Sequence, residues 1–179
     1  MPPESPAPVG FRVRRARTAD VPRIQALVDP LVQQGILLGK ELVDLYADVQ
    51  EFRVAETDDG RVVGCGALHV FWQDLGEVRT LAVSPEWRTN GVGSAMLRSL
   101  EGEALELGLS RLFCLTFERT FFAAQGYVEV GEGVVPPEVY TELVRSHDEG
   151  VAEFLDLARV KPNTLGNARM LKSLVWSPR

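Results

Sequence analysis

Apolar and polar residues alternate at the start of the readable pattern, Phe11-Arg12-Val13-Arg14-Arg15, as in a strand with one buried face. The period then lengthens. Val21, Ile24, Leu27, Val28 and Leu31 recur every three or four positions behind Thr18 and Asp20, which predicts a helix capped by Thr18. Residues 35–39 interrupt it, a second short helix covers 41–49, and 52–56 returns to strand. Asp58-Asp59-Gly60-Arg61 has hairpin-turn chemistry, and strands over 62–72 and 76–83 come after it. A long helix runs to Gly108, a residue suited to ending it. A strand over 112–117, a short helix over 120–125 ended by Gly126, and a strand over 127–131 come next. Beyond Pro137 the pattern is less regular. Val151, Phe154, Leu155 and Ala158 fall at helical spacing, 161–167 reads as a loop, and 169–176 as a last strand. There is no internal repeat and no second block of composition. The expectation is one α/β (α+β) domain over 11–179, built on a mixed, mostly antiparallel sheet flanked by helices.

Composition narrows the chemistry. With 179 residues, 45% of them hydrophobic, the chain can bury a sizeable core. The net charge of -6, without a basic run or interleaved aromatics, argues against nucleic acid as a partner. No apolar run approaches the roughly 20 residues that span a bilayer. Residues 1–10 are Pro-rich and lack a signal-peptide pattern, so they read as a disordered leader before a cytoplasmic protein. Cys65 and Cys114 each sit in an apolar run and are expected to be reduced core thiols. A cysteine nucleophile needs a histidine, and of His69 and His147 only His69 has an even spacing from Cys65 on one strand. No set of Cys and His has metal-ligand spacing.

The densest signal is Leu81-Ala82-Val83-Ser84-Pro85-Glu86-Trp87-Arg88-Thr89-Asn90-Gly91-Val92-Gly93-Ser94. A strand meets a Ser-Pro stop, a turn with Arg and two glycines succeeds it, and an amphipathic helix begins at once. That order gathers unpaired backbone N–H groups, a helix N-terminus and the Arg88 charge around one point, an arrangement suited to phosphate. Gly91 and Gly93, lacking Cβ, let the main chain approach an anion. A Walker loop would need Gly-Lys-Ser/Thr and a dinucleotide fingerprint a third glycine; neither is present.

The Arg-x-x-Gly-x-Gly of 88–93, in that context, resembles the acyl-CoA pyrophosphate loop of the GCN5-related N-acetyltransferases (GNAT), which usually have Gly where Thr89 stands here. The order of elements is similar to that fold over nearly the whole chain. Three stretches resemble a narrower group, the N-acetylglutamate synthases of arginine biosynthesis, and most of all their short single-domain forms. They are Gly35-Ile36-Leu37-Leu38-Gly39-Lys40, Gly76-Glu77-Val78-Arg79-Thr80-Leu81-Ala82-Val83, and Leu112-Phe113-Cys114-Leu115-Thr116 with Phe121-Phe122-Ala123-Ala124-Gln125-Gly126-Tyr127.

The resemblance implies transfer of acetyl from acetyl-CoA to the α-amine of glutamate or glutamine in a ternary complex, without a metal, by a protein that in this family forms homodimers. It implies splayed central strands, with the main chain of Leu81, Ala82 and Val83 holding the acetyl and pantetheine groups. Arg88, Thr89, Asn90, Gly91, Val92, Gly93 and Ser94 would hold the pyrophosphate. Glu77 falls at the position of the proposed base and Thr116 at that of a hydroxyl that meets the departing thiolate. The Tyr acid of many relatives is replaced by Phe122. Leu38 and Lys40 fall where the group binds substrate, Lys40 standing in place of an Arg. Arg79 should share a strand face with Glu77, to bind a substrate carboxylate or to pair with Glu77. Lys161, Asn163, Asn167 and Arg169 occupy the tail where longer synthases bring further substrate ligands, without matching their motif. Two other functions stay open on the residues: acetylation of a different amine, such as a protein N-terminus or polyamine, and a non-catalytic acyl-CoA-binding module.

Overall fold

The computed structural model describes residues 10–131, 134–155 and 166–175. The predicted leader lies, but for Gly10, outside the described residues. The strands are β1 (Phe11–Arg15), β2 (Phe52–Thr57), β3 (Val62–Val70), β4 (Leu75–Val83), β5 (Arg111–Thr116), β6 (Val128–Glu129) and β7 (Ala168–Ser173). The helices are α1 (Val21–Gln33), α2 (Leu42–Ala47), α3 (Val92–Glu106), α4 (Arg119–Ala124), α5 (Pro137–Leu143) and α6 (Glu149–Phe154). The strands form one sheet in the order β1-β2-β3-β4-β5-β7-β6. Only β4 and β5 run parallel; the other neighbours are antiparallel.

Several boundaries differ from the sequence expectation for identifiable reasons. Thr18 begins a 3₁₀ turn and does not cap α1; the Asp20 carboxylate instead accepts the Arg17 N–H at 2.8 Å. The strand expected over 62–72 ends at Val70, because the N–H groups of Phe71 and Trp72 turn back to the Leu75 carbonyl. The strand expected over 127–131 keeps only two residues. Tyr127 is buried against the Phe122 ring, and its N–H returns to the Phe122 carbonyl at 3.1 Å.

One face of the sheet is covered by α3, whose Leu97, Leu100 and Ala104 pack with Leu68 and Val78. On the other face, Val21, Ile24 and Val28 of α1 meet Phe52, Val54 and Ala67. Further along that face α5 and α6 place Val139, Leu143, Val151 and Phe154 on Phe71, Leu75 and Phe113. Burial of each Val, Leu, Ile or Phe side chain among them contributes about 1.5–3 kcal/mol.

Two irregularities in β4 open the middle of the sheet. It pairs with β5 only from Leu75 to Glu77, opposite Arg111 to Phe113, after which β5 continues with β7 alone. The central strands therefore splay. In addition, Cys65 faces Ala82 while Ala67 faces Arg79, so Thr80 and Leu81 together oppose Gly66 in a β-bulge. Thr80 takes a left-handed backbone conformation, φ 56°, which costs about 1–2 kcal/mol in a non-glycine residue. Among the described residues no helix is long and apolar enough to cross a membrane.

Candidate active site

Where β4 and β5 part, a cleft of about 550 Å³ opens. Its floor is Glu77 to Leu81 of β4, one wall is Thr116 and Phe117 at the end of β5, and the other walls are residues 36–41 and 147–150. Glu77, Arg79, Leu81, Thr116, Leu38, Lys40 and Asn167, all singled out by sequence, line this one space.

Glu77 is only 4% exposed. As the strand period requires, Arg79 lies on the same face, and its Nε–H donates to Glu77 Oε2 at 2.7 Å, with Nη2 at 2.5 Å from the same oxygen. The outer edge of the same guanidinium meets Asp148 in a bidentate pair, Nη1 to Oδ2 at 2.9 Å and Nη2 to Oδ1 at 3.0 Å. Arg79 is thus held between two protein carboxylates. Burial pushes the Glu77 carboxyl above the usual range, with Arg79 pulling the other way. Burial also opposes the Arg79 charge, but Glu77 and Asp148 outweigh it and hold the guanidinium firmly protonated. Asp148 is driven up by burial and more strongly down by its Arg79 bonds, so it stays ionised well below the usual carboxylate range. His69 is the direct cross-strand neighbour of Glu77, and its Nδ1 lies 2.8 Å from Glu51 Oε1.

Thr116 ends β5 nearly buried, and its Oγ1 accepts the Glu118 N–H at 2.8 Å. A hydroxyl has one proton to give and two lone pairs, so this bond leaves the O–H proton for an acceptor in the cleft.

The helix-start loop lies beside the cleft. Gly91 precedes α3 in a left-handed conformation, φ 76°, and a Cβ there would meet nothing, so glycine serves the backbone turn and not a tight contact. The first-turn N–H groups have no intrahelical carbonyl to bond; the ladder begins with Ala95 N–H to the Gly91 carbonyl at 3.0 Å. Arg88, Thr89 and Asn90 are exposed, while Val92 is buried in the core with Met96 and Trp87. A Cβ on Gly93 would touch the Phe121 ring at 3.4 Å, and Phe121 lines the cleft, so helix start and cleft share a wall. Ser94 Oγ accepts from Gln125 Nε2 at 3.1 Å. These residues fit a pyrophosphate: open donors, a turn free of side chains, and an exposed cation. Ala82 and Val83 carry the β4 main chain from the cleft toward this loop, with no β5 partner on that edge.

The remaining substrate candidates divide. Lys40 lies in the cleft, its Nζ 2.5 Å from Asp48 Oδ2. Arg169 does not line the cleft; its Nε and Nη2 donate to the Phe154 carbonyl at 3.1 and 2.7 Å, and the guanidinium stacks on the Phe154 ring. Lys161 and Asn163 lie outside the described residues. The cysteines behave as core thiols. Burial pushes Cys65 up to about 12, and its Sγ meets the Thr80 carbonyl, whereas His69 bonds to Glu51. Burial also pushes Cys114 up. Among the described residues no group of His, Cys, Asp and Glu is placed to hold a metal ion.

Asp148 and Gly150 escaped the sequence reading. A signal was present, since an Asp just before a helical stretch is a typical N-cap, and Asp148 Oδ1 does accept the Val151 N–H at 2.9 Å. Its partner Arg79, however, is 69 residues away.

Comparison with known proteins bears on the same elements. Residues 29–131 match the acetyltransferase (GNAT) family. An amino-acid acetyltransferase of Mycobacterium tuberculosis (strain ATCC 25618 / H37Rv) is 57% identical over 161 residues, 89% of this chain and 92% of that protein. The crystal structure of Rv2747 from Mycobacterium tuberculosis, in complex with CoA, matches with a TM-score of 0.88 and 56% identity over 92% of this chain and 99% of that one. N-acetylglutamate synthase from Neisseria gonorrhoeae, complexed with coenzyme A and N-acetyl-glutamate, matches at 0.77 and 30% identity; it covers 93% of this chain, which spans 36% of that longer protein. Splayed strands, bulge, helix-start loop and these matches agree: the chain belongs to the GNAT acetyltransferase family.

Proposed function

We propose that this protein transfers the acetyl group of acetyl-CoA to the α-amine of L-glutamate, the first step of arginine biosynthesis, by direct attack in a ternary complex. The observation that carries this reading is the buried Glu77 carboxyl at the parting of β4 and β5, in a cleft that shares the Phe121 wall with the helix-start loop. The names of the M. tuberculosis and N. gonorrhoeae relatives support it. Action in the cytoplasm as a homodimer rests on the family resemblance.

The α-amine of a free amino acid is mostly ammonium at neutral pH. Glu77, with its proton affinity raised by burial, takes one proton directly or through one water. The amine nitrogen then attacks the thioester carbonyl carbon, and the negative charge on the carbonyl oxygen meets main-chain N–H groups of β4 near Leu81, Ala82 and Val83. The C–S bond breaks as the second proton of the nitrogen passes to the departing thiolate, directly or through one water, giving the neutral amide and the CoA thiol, while the Thr116 hydroxyl donates a hydrogen bond to the sulfur. Arg88 and the first turn of α3 hold the pyrophosphate. Leu38 and Lys40 orient the amino acid, with Asn167 on the facing wall; Lys161 and Asn163 of the tail are assigned to the same pocket by the resemblance alone.

A second acceptor, L-glutamine, is favoured by charge. Acidic side chains outnumber cations among the described lining residues, and both cations, Lys40 and Arg79, already face protein carboxylates. A neutral side-chain amide meets less repulsion there than a second carboxylate. Acetyl-CoA-dependent thiol release, with each common amino acid and several amines offered singly, tests both. Release with glutamate or glutamine alone supports the function, and the ratio of their kcat/KM values ranks them. Silence across the amino acids, with release on a peptide N-terminus or polyamine, overturns it.

A further inference from the structure

We propose that Asp148 is a positioning residue for the base: by engaging the outer edge of the Arg79 guanidinium, it divides the Arg79 charge and leaves Glu77 the proton affinity that amine deprotonation needs. This rests on the reading of Glu77 as the base.

The geometry is built for it. Residues 148–150 are shaped around Arg79. Asp148 is fixed by its own bonds, accepting the Val151 N–H at 2.9 Å and donating its N–H to Ser146 Oγ at 3.1 Å. A Cβ on Gly150 would stand 2.7 Å from Arg79 Nη2, so any larger residue there would push against the guanidinium. The stack continues below, where the Arg79 guanidinium carbon lies 5.8 Å from the Phe71 ring centroid. Held at both edges and on one face, Arg79 is poorly disposed to leave for a substrate carboxylate.

Charge gives the arrangement its consequence. A lone Arg beside a buried Glu forms a neutral pair, and a carboxylate in such a pair binds a proton weakly, which makes it a poor base. With Asp148 also ionised, one cation serves two carboxylates, and the cluster of three carries a net negative charge. The next proton to arrive is therefore bound more tightly; both carboxylates line the cleft, and Glu77 is the one whose proton affinity burial raises, while the Arg79 bonds hold Asp148 ionised. Lys40, Asp48, Glu118, His147 and Glu149 line the same cleft, and the groups beside Glu77 in the sheet come from β3 and β5. His69, opposite it, is paired with Glu51, and Cys114 carries a neutral thiol held up by burial.

A merely structural salt bridge tying α6 to β4 predicts something different. Val151 and Phe154 hold α6 on Phe71 and Phe113 by apolar contact, so the helix does not depend on the ion pair alone. Asp148→Asn keeps the shape and the capping oxygen and removes the charge. Its expected effect is a fall of about one pH unit in the midpoint of the acid limb of kcat/KM, a tenfold loss of proton affinity, together with a lower kcat at the optimum. Asp148→Glu should return the midpoint toward wild type. If Asp148→Asn does not fold, Asp148→Ser retains the cap and removes the charge equally. A ¹³C NMR titration of the Glu77 carboxyl in the full chain reads the same shift without turnover. An unmoved or raised midpoint in both measurements overturns this role while leaving the base intact. Wild-type turnover by Glu77→Gln overturns the base itself, and this role with it.

Discussion

On the function proposed above, the two halves of the cleft would recognise their ligands by opposite means. The side proposed for the cofactor is one contiguous stretch, residues 81–94, and it offers mainly backbone groups. Its donors are first-turn N–H groups of α3, its glycine serves a left-handed turn, and its side chains at 88–90 are exposed. The acceptor side is assembled from β4, β5, the loop at 36–41 and the turn at 147–150, and it works through buried, mutually paired side chains. A backbone site tolerates side-chain change but not a change of main-chain path. A side-chain network behaves the other way, because each partner removed strands another in low dielectric.

Glu77→Gln is the strongest test of that contrast. Amide for carboxylate keeps the volume and removes the base, so kcat should fall by about 10²–10⁴-fold. Acetyl-CoA affinity, read by calorimetry, should change little, since the loop contributes that binding from the other end of β4. Parallel loss of both would merge the two halves into one structural unit. The pH profile sharpens the same point. Glu77 is inactive when protonated, and burial pushes its carboxyl up, so activity should fall on the acid side at a midpoint above the roughly 4.3 of an ordinary glutamate. A midpoint at or below that value would mean that Arg79 outweighs burial.

Arg88→Ala comes next. An exposed cation that bonds a pyrophosphate should contribute about tenfold to the acetyl-CoA KM, with kcat and the amino-acid KM nearly unchanged. The reverse order of effects would undo the loop assignment. Gly91→Ala acts on the main-chain path itself. Forcing a Cβ into φ 76° costs about 1–2 kcal/mol. A thermal melt should show a drop of several degrees, and a weaker acetyl-CoA response should accompany it.

The contrast also explains what the amino-acid pattern revealed. The loop was legible because backbone recognition leaves local marks: a Ser-Pro stop, glycine at a fixed offset, and an apolar helical period behind it. Glu77 and Arg79 were legible as a pair because the strand period alone puts them on one face. The order of elements along the chain could be reached from type and spacing, while the insertion of β7 between β5 and β6 and the two-residue length of β6 could not, since they depend on long-range pairing and on where the Tyr127 ring finds room beside Phe122. Asp148 was illegible as a partner of Arg79. No local period joins residues so far apart, and the contact exists only because α6 packs on Phe71 and Phe113. Arg169 shows the converse. A cation in a polar tail reads as a ligand for an anion, and in the structure the Phe154 carbonyl and ring are among its contacts, away from the described cleft lining.

Thr116 offers the smallest expected effect and sits on the boundary between the halves. Its oxygen accepts the Glu118 N–H, which leaves its proton as the group it has to donate. Thr116→Ser retains both functions and should leave kcat within about twofold of wild type, because the hydroxyl chemistry is unchanged. Thr116→Val removes both. Glu118 is exposed, so water takes its freed N–H and the lost hydrogen bond costs about 0.5–1.5 kcal/mol of stability, which a thermal melt will show. The lost hydrogen bond to the thiolate should lower kcat less than tenfold, since a thiolate leaves readily without full protonation. The two readouts separate the roles: a lower melting temperature with near-normal kcat leaves Thr116 as an end-stop for β5. A fall in kcat approaching that of Glu77→Gln would instead make the hydroxyl a true proton donor, and extend the side-chain logic of the acceptor side across the cleft to the leaving group.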